Sequence, residues 1–97
     1  MEILITYDVA TDSTEGERRL RQVAQICKNY GQRVQKSVFE CTLDEMQYEK
    51  VVFSLLKVIN EKEDSLRIYR LREPKDQHIR EFGVTKSINY KRDLILI

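Results

Sequence analysis

Asp8 is the residue of this sequence whose position most clearly suggests chemistry. It follows an apolar stretch that begins at Ile3, and it is the only acid between Glu2 and Asp12. A carboxylate at the end of a core strand loses solvation and should turn outward unless something binds it. If two protomers pack on that face, two copies of Asp8 lie near a two-fold axis, where Mg²⁺ would relieve their repulsion. In the alternative interpretation, Asp8 only begins the turn Ala10–Ser13.

A stretch without acids is the second candidate. This acid-free run extends from Arg18 to Lys36 and contains no Asp or Glu but six bases, namely Arg18, Arg19, Arg21, Lys28, Arg33 and Lys36. Such segregation makes a local positive surface, which binds phosphates through charge and counterion release. The alternative is a solvated helix face, although such faces normally carry acid partners four residues away.

The segment Arg33–Phe39 is the third candidate. A guanidinium, an amide, a hydroxyl and an aromatic ring are expected on one strand face, from Arg33, Gln35, Ser37 and Phe39. Together these groups suit contacts to a nucleic-acid backbone or to bases. As a pattern this is weak, because a phenylalanine in a strand is more often a core residue.

Other chemistries find little support in the sequence. His78 is the only histidine and follows Pro74, so a Ser-His-Asp relay or a His-rich zinc site is disfavoured. Three glycines cannot build a loop that cradles phosphates. Cys27 and Cys41 fit neither a metal spacing nor a disulfide framework, and Cys27 is predicted to be a buried free thiol on a helix.

Composition predicts one domain over residues 1–97. Hydrophobic residues make up 41% of the chain and charged residues 34%, but 17 basic groups nearly cancel 16 acidic ones. No general attraction to nucleic acid or membrane follows from a net charge of +1. The longest aliphatic run is Leu94–Ile97, so neither a signal peptide nor a spanning helix is expected, and the predicted location is cytoplasmic.

Periodicity predicts alternating strands and helices. The first helix is expected over 14–30, with a capping box Thr14–Glu17 at its start and Gly31 just past its end. A second capping box, Thr42–Glu45, begins a helix that ends near Asn60. The predicted strands are Glu2–Val9, Gln32–Cys41 with a bend near Ser37, Ser65–Arg72, Val84–Ile88 and Leu94–Ile97.

This order predicts an α/β sandwich of the α+β kind, in which two helices cover one face of a sheet. Apolar residues stand on both sides of the predicted strands; Leu66 and Ile68, for example, alternate with Tyr69 and Leu71. Because two helices cover only one face, a homodimer is the simplest cover for the other. The C-terminal segment 84–97, ending in Leu94–Ile97, is expected to pair with the partner's sheet edge.

Five segments together resemble one known family. They are Ile5–Val9 (ITYDV), Arg18–Arg19, Tyr30–Gly31, Gln32–Glu40 (QRVQKSVFE) and Asp64–Tyr69 (DSLRIY). In order and spacing, from Met1 to about Leu71, they are similar to CRISPR-associated protein 2, also called the CRISPR-associated endoribonuclease.

The resemblance implies a ferredoxin-like fold with an antiparallel sheet, and a homodimer whose sheets face each other. It also implies Mg²⁺ (or Mn²⁺) between the two copies of Asp8, and Mg²⁺-dependent cleavage of RNA or double-stranded DNA. A complex with CRISPR-associated protein 1 that acquires spacers in a prokaryotic cytoplasm is implied as well. Nucleic-acid contacts are expected at Tyr7, Arg18, Arg19, Arg33, Lys36, Ser37 and Phe39. The fold needs two strands between the helices, where the sequence predicts only Gln32–Cys41.

Three other functions are compatible with these observations. The first is a non-catalytic DNA-binding scaffold of the spacer integration complex, for which Asp8 would matter in cleavage but not in assembly. The second is a stand-alone toxin that cleaves messenger RNA, which would arrest growth on expression. The third is a small-ligand regulatory domain, and the acid-free basic run argues against it.

Overall fold

Residues 1–84 form two helices, four strands and a short 3-10 turn, one strand more than the periodicity predicts for this part of the chain. The computed structural model describes residues 1–84. The elements are β1 (Glu2–Asp8), α1 (Thr14–Tyr30), β2 (Gln32–Gln35), β3 (Val38–Thr42), α2 (Glu45–Val58), β4 (Ser65–Leu71) and a 3-10 turn (Lys75–Gln77). The predicted strand Leu94–Ile97, and Val84–Ile88 from its second residue onward, lie outside the described residues.

The sheet has the order β2-β3-β1-β4, and every neighbouring pair is antiparallel. Ile5 of the central strand β1 stands between Phe39 of β3 and Ile68 of β4. Both helices contribute buried side chains to one core with this side of the sheet, including Val23 of α1 and Leu55 of α2. The predicted sandwich with two helices on one face is therefore confirmed, and the arrangement is ferredoxin-like.

The stretch predicted as one strand between the helices is two strands joined by a tight turn at Lys36 and Ser37. The register between β2 and β3 shifts between Arg33 and Gln35, so the hairpin carries an irregularity before the turn. The bend expected near Ser37 is thus a full reversal of the chain. It supplies the second strand that a ferredoxin-like fold requires.

Both predicted helix caps are wrong by one or two residues. Ser13, not Thr14, caps α1, because its hydroxyl accepts a hydrogen bond from the Gly16 N–H at 3.0 Å. At the second helix the capping box is formed by Asp44 and Gln47, whose side chains each accept from the other's backbone N–H. In each case the polar residue nearest the first helical turn satisfies the free N–H groups.

Gly31 ends α1 for a different reason from the one predicted. Its backbone is extended rather than left-handed, with φ of −158°. A Cβ at this position would lie 2.3 Å from the Cys41 sulfur and 2.4 Å from the Glu40 carbonyl oxygen. Glycine is therefore required because β3 passes so close to the end of the helix.

The Asp64 carboxylate, whose side chain is fully buried, joins three parts of the chain. One oxygen accepts from the Ala10 N–H at 3.1 Å, and the other accepts from the Asn60 N–H at 2.9 Å. Arg19 of α1 contacts both oxygens, the closer at 2.8 Å. The loop after β1, the first helix and the loop before β4 are thus held by one charged group.

The pKa of Asp64 reflects this surrounding. Burial acts to raise it, but the hydrogen bonds from Arg19, Asn60 and Ala10 together outweigh burial and hold the pKa below its usual value. A carboxyl group whose pKa is lower in the folded state than in the unfolded chain stabilises the folded protein at pH values above its pKa in the unfolded chain. That stability is lost as the pH falls through the folded pKa.

We expect Asp64→Asn to lower the melting temperature at pH 7 by about 5–10 °C, because it removes charge-assisted hydrogen bonds from a buried site. The difference from the wild type should begin to shrink below about pH 4, where the carboxyl group of the unfolded wild-type chain takes up protons, and should disappear as the pH falls through the lower pKa of the folded state. Scanning calorimetry between pH 3 and 7 measures both effects. Glu63→Gln is the matched control, since Glu63 contacts the same arginine from an exposed position and should change little. Equal melting temperatures for Asp64→Asn and the wild type at pH 7 would contradict this role.

Cys27 and Cys41 are buried free thiols, as predicted for Cys27. Burial raises the pKa of Cys27 to about 12, with a further increase from the nearby Cys41, and burial raises the pKa of Cys41 to about 11. Since only a thiolate attacks disulfide reagents, neither thiol is reactive near neutral pH.

A thiol-specific chromogenic disulfide at pH 8 should therefore label the folded protein slowly. Both thiols should react rapidly once urea unfolds the chain. Rapid labelling of one thiol in the folded state would mean that its side of the core opens easily, contrary to the burial described above.

Candidate functional site

Asp8 is the last residue of β1, opposite Ser65 of β4. Burial alternates along β1, so Asp8 lies with Leu4 and Thr6 on the sheet face that the helices leave open, as predicted. The Asp8 side chain is exposed. Within residues 1–84 its carboxylate accepts no hydrogen bond and pairs with no cation, so all its lone pairs remain available to a ligand.

Asp8 is a single carboxylate and is not part of a cluster of metal-ligating side chains within residues 1–84. No group of three or more His, Cys, Asp or Glu side chains that could hold a metal ion occurs in the described part of the chain. Mg²⁺ prefers carboxylate oxygens but needs only one or two of them, because it keeps several waters. The exposed Asp8 carboxylate fits such an ion as one ligand, and a second copy of the chain would supply the other.

The open sheet face around Asp8 is mixed in character. Leu4 stands between Glu40 of β3 and Tyr69 of β4, and Tyr69 is 43% exposed. The Arg67 guanidinium lies 5.9 Å from the centre of the Tyr69 ring and donates a hydrogen bond to its hydroxyl. An exposed aromatic ring with aliphatic neighbours is the kind of surface that protein interfaces bury.

Tyr7 and Phe39 were expected to contact nucleic acid, and the structure places both rings in the core. Phe39 is fully buried because its register partner Ile5 points to the helices, and Tyr7 is only 6% exposed. Their ring centres are 6.3 Å apart. Burial raises the pKa of Tyr7, and its hydrogen bond with the Arg33 side chain partly offsets this. The Phe39 ring has no face free for a base, so its role is to pack.

The six bases of the acid-free run divide into separate groups. Arg18 is exposed on α1, whereas Arg19 turns inward to the Asp64 carboxylate and is 13% exposed. Arg19 thus belongs to the structural ion pair rather than to the exposed positive surface. The other four bases, together with Tyr7 and Ser37, line one cleft between α1 and the β2–β3 hairpin: Arg21, Lys28, Arg33 and Lys36.

Ser37 lies in the turn and not on a strand, so the predicted common face of Arg33, Gln35, Ser37 and Phe39 does not form. The Ser37 carbonyl instead accepts a hydrogen bond from the Tyr7 N–H at 3.2 Å. Arg33 does meet Phe39, with its guanidinium carbon 5.1 Å from the ring centre. The reversal of the chain at Lys36 and Ser37 explains the difference, because it places residues on either side of it in different strands.

Arg21 and Lys28, which the sequence analysis counted among the six bases but not among the expected nucleic-acid contacts, both line the cleft. They lie seven residues apart on α1, and this spacing places two side chains on the same side of a helix. That spacing was the available indication. It could not show that the β2–β3 hairpin brings two further bases to the same side.

Sequence comparisons with known proteins all point to one family. The family model described as CRISPR associated protein Cas2 matches residues 1–79. A protein of Moorella thermoacetica named CRISPR-associated endoribonuclease Cas2 1 is 57% identical, over 99% of this chain and 100% of the relative. The CRISPR-associated endonuclease Cas2 of Halalkalibacterium halodurans is 48% identical, over 98% of this chain and 99% of the relative.

Solved structures agree with the sequence comparisons. The crystal structure of Streptococcus pyogenes Cas2 at pH 6.5 superimposes with a TM-score of 0.77 at 42% identity. The superposition covers 86% of this chain and all of the other. A hypothetical protein of Thermus thermophilus gives a TM-score of 0.73 at 32% identity, over 87% of this chain and 92% of the other.

Proposed function

The chain belongs to the Cas2 family of CRISPR-associated proteins, and from this premise we propose that it is a Mg²⁺-dependent endonuclease of RNA or double-stranded DNA. Its partner in spacer acquisition is CRISPR-associated protein 1. The names endoribonuclease and endonuclease carried by its relatives support the nuclease activity. The observation that carries the proposal is Asp8, an exposed and unpaired carboxylate at the end of a core strand.

The catalytic unit in this proposal is a homodimer whose open sheet faces meet. Leu4 and Tyr69 become buried when the two faces pack together, and the two copies of Asp8 approach each other. Two carboxylates brought together repel unless a cation lies between them. When Mg²⁺ is bound there, it polarises a phosphodiester and lowers the pKa of a water.

The residues around Asp8 give little help with proton transfer. Asp64 lies next to Ser65, the register partner of Asp8, but its carboxylate is occupied by Arg19 and two backbone N–H groups. A carboxylate held ionised in this way is a poor general acid. The leaving oxygen must then take its proton from water, and we expect slow turnover.

Asp8→Asn keeps the shape of the side chain and removes its charge. We expect Mg²⁺-dependent cleavage to fall by about 100-fold or more, while the melting temperature changes by no more than about 2 °C. Cleavage of labelled RNA and duplex DNA with and without EDTA measures the loss. Asp12→Asn, an exposed acid in the next loop, is the matched control and should cleave normally. Full cleavage by a contaminant-free Asp8→Asn protein would move the catalytic site elsewhere.

Sedimentation equilibrium at micromolar concentration should give about twice the chain mass of 11.6 kDa. Leu4→Glu places a charge in the middle of the open face and should shift the protein towards monomer. Phe53→Glu is the control, because Phe53 is an exposed aromatic residue on α2, away from that face. A monomeric wild type would exclude the paired Asp8 site, and dissociation by Phe53→Glu instead of Leu4→Glu would move the interface to the helices.

Because no side chain described near Asp8 is suited to act as a general acid, a second candidate function is favoured, that of a non-catalytic DNA-binding scaffold of the spacer integration complex. In that case Asp8 has no part in cleavage, and assembly with CRISPR-associated protein 1 does not depend on its charge. Spacer integration measured with the wild type and with Asp8→Asn separates the two functions. Equal integration, with no cleavage by either protein alone, would favour the scaffold.

A further inference from the structure

The cleft between α1 and the β2–β3 hairpin, which the proposed function leaves unused, has the properties of a ligand site. Its volume is about 430 Å³, within the range of small-molecule sites. It lies on the helix side of the sheet, whereas Asp8 projects on the open side. A volume of this size admits a single nucleotide but not a double helix.

Among residues 1–84, four cations line this cleft and no acid does. Arg21, Lys28 and Lys36 are exposed, and Arg33 is half-buried. None of the four forms an ion pair within residues 1–84. Positive charges that share a cleft repel one another, and a bound anion relieves that repulsion.

Arg33 is the most constrained of these cations. Its guanidinium carbon lies 5.1 Å from the centre of the Phe39 ring, and Arg33 lines the cleft together with Tyr7. Its Nε atom is buried and has no hydrogen-bond partner within residues 1–84. Buried polar atoms are rarely left without a partner in folded proteins, and a bound ligand is one way to satisfy such an atom.

The cleft also has an apolar wall. Leu20 and Ala24 lie one helical turn apart on α1, are half-buried, and face the same space as the Tyr7 side chain. Gln25 and Ser37 add neutral polar groups. A small inorganic anion would use only the cations, whereas a ligand with both an anionic group and an apolar body would use the whole surface.

We propose that this cleft binds one nucleotide through its terminal phosphate. Arg21, Lys28, Arg33 and Lys36 hold the phosphate oxygens, and the sugar or base packs against Leu20 and Ala24. Arginine and lysine form charge-assisted hydrogen bonds with phosphate, about twice as strong as those between neutral groups.

Two sources supply this chemistry, a free mononucleotide and the 5′-phosphorylated end of a nucleic-acid strand. This inference rests on the proposed function, because the nucleotide that it assigns to the cleft belongs to the same chemical class as the proposed substrate, RNA or double-stranded DNA. It concerns binding alone. It can therefore be tested in EDTA, where failure leaves the cleavage assigned to Asp8 untouched.

The experiment is a titration of the ¹⁵N-labelled protein with 5′-AMP and with adenosine, followed by amide chemical shifts. We expect 5′-AMP, but not adenosine, to shift the amides of α1 from Leu20 to Lys28 and those of Lys36 and Ser37. Lys28→Gln/Lys36→Gln should weaken 5′-AMP binding by about tenfold or more. A hexanucleotide with a 5′-phosphate that binds more tightly than its 5′-hydroxyl form would identify the strand end as the ligand. Binding of 5′-AMP without cleft binding by either hexanucleotide would identify the free nucleotide, and equal cleft binding by both hexanucleotides would overturn recognition of a terminal phosphate.

Lys50→Gln/Lys62→Gln is the matched control, because it removes the same charge from exposed lysines outside the cleft and should leave binding unchanged. The proposal is overturned if 5′-AMP shifts no amides of the cleft, or if adenosine binds equally well. It is overturned equally if the control variant weakens binding as much as the cleft variant does, since that result would show only a general attraction of charge.

Discussion

The buried Asp64 carboxylate is the interaction on which the arrangement of the functional groups depends. It accepts hydrogen bonds from the backbone two residues beyond Asp8, from the loop that ends α2, and from Arg19 of the first helix. These segments meet at the same end of the sheet, where β1 finishes and β4 begins. Because removing one partner would leave a charge buried without compensation, the three segments are held in one relative position. The contact with Ala10 thus fixes the chain just beyond Asp8, at the end of β1.

The two-residue period of β1 assigns neighbouring residues to different tasks. Ile5 and Tyr7 point to the helices and are buried, whereas Thr6 and Asp8 point to the open face. One strand therefore supplies both the centre of the core and the candidate metal ligand. A shift of one residue in its register would place the Asp8 carboxylate in the core and Tyr7 outside. The packing of Ile5 against Phe39 is consequently also what keeps Asp8 exposed.

Charge is divided between the two faces of the sheet in the same way. The open face carries the exposed Asp8 carboxylate. The helix side carries a cleft lined by the four cations Arg21, Lys28, Arg33 and Lys36. Arg19 belongs to neither, since Asp64 neutralises it inside the protein. A chain of net charge +1 can in this way present an acidic group and a basic group on opposite sides of its sheet, because each depends on local grouping rather than on the total charge.

The sequence by itself determined the alternation of strands and helices, the limits of α1, the outward direction of Asp8 and the buried thiol of Cys27. Each of these follows from periodicity or polarity within one short segment.

The tertiary structure alone decided what depends on contacts between distant segments. The turn at Lys36 and Ser37 is visible only once β2 pairs with β3, and the burial of Phe39 depends on its partner Ile5. Arg19 could not be separated from its neighbour Arg18 in the sequence, because its partner Asp64 lies 45 residues away. The cleft formed by Arg21, Lys28, Arg33 and Lys36 likewise exists only because the hairpin folds back beside the helix.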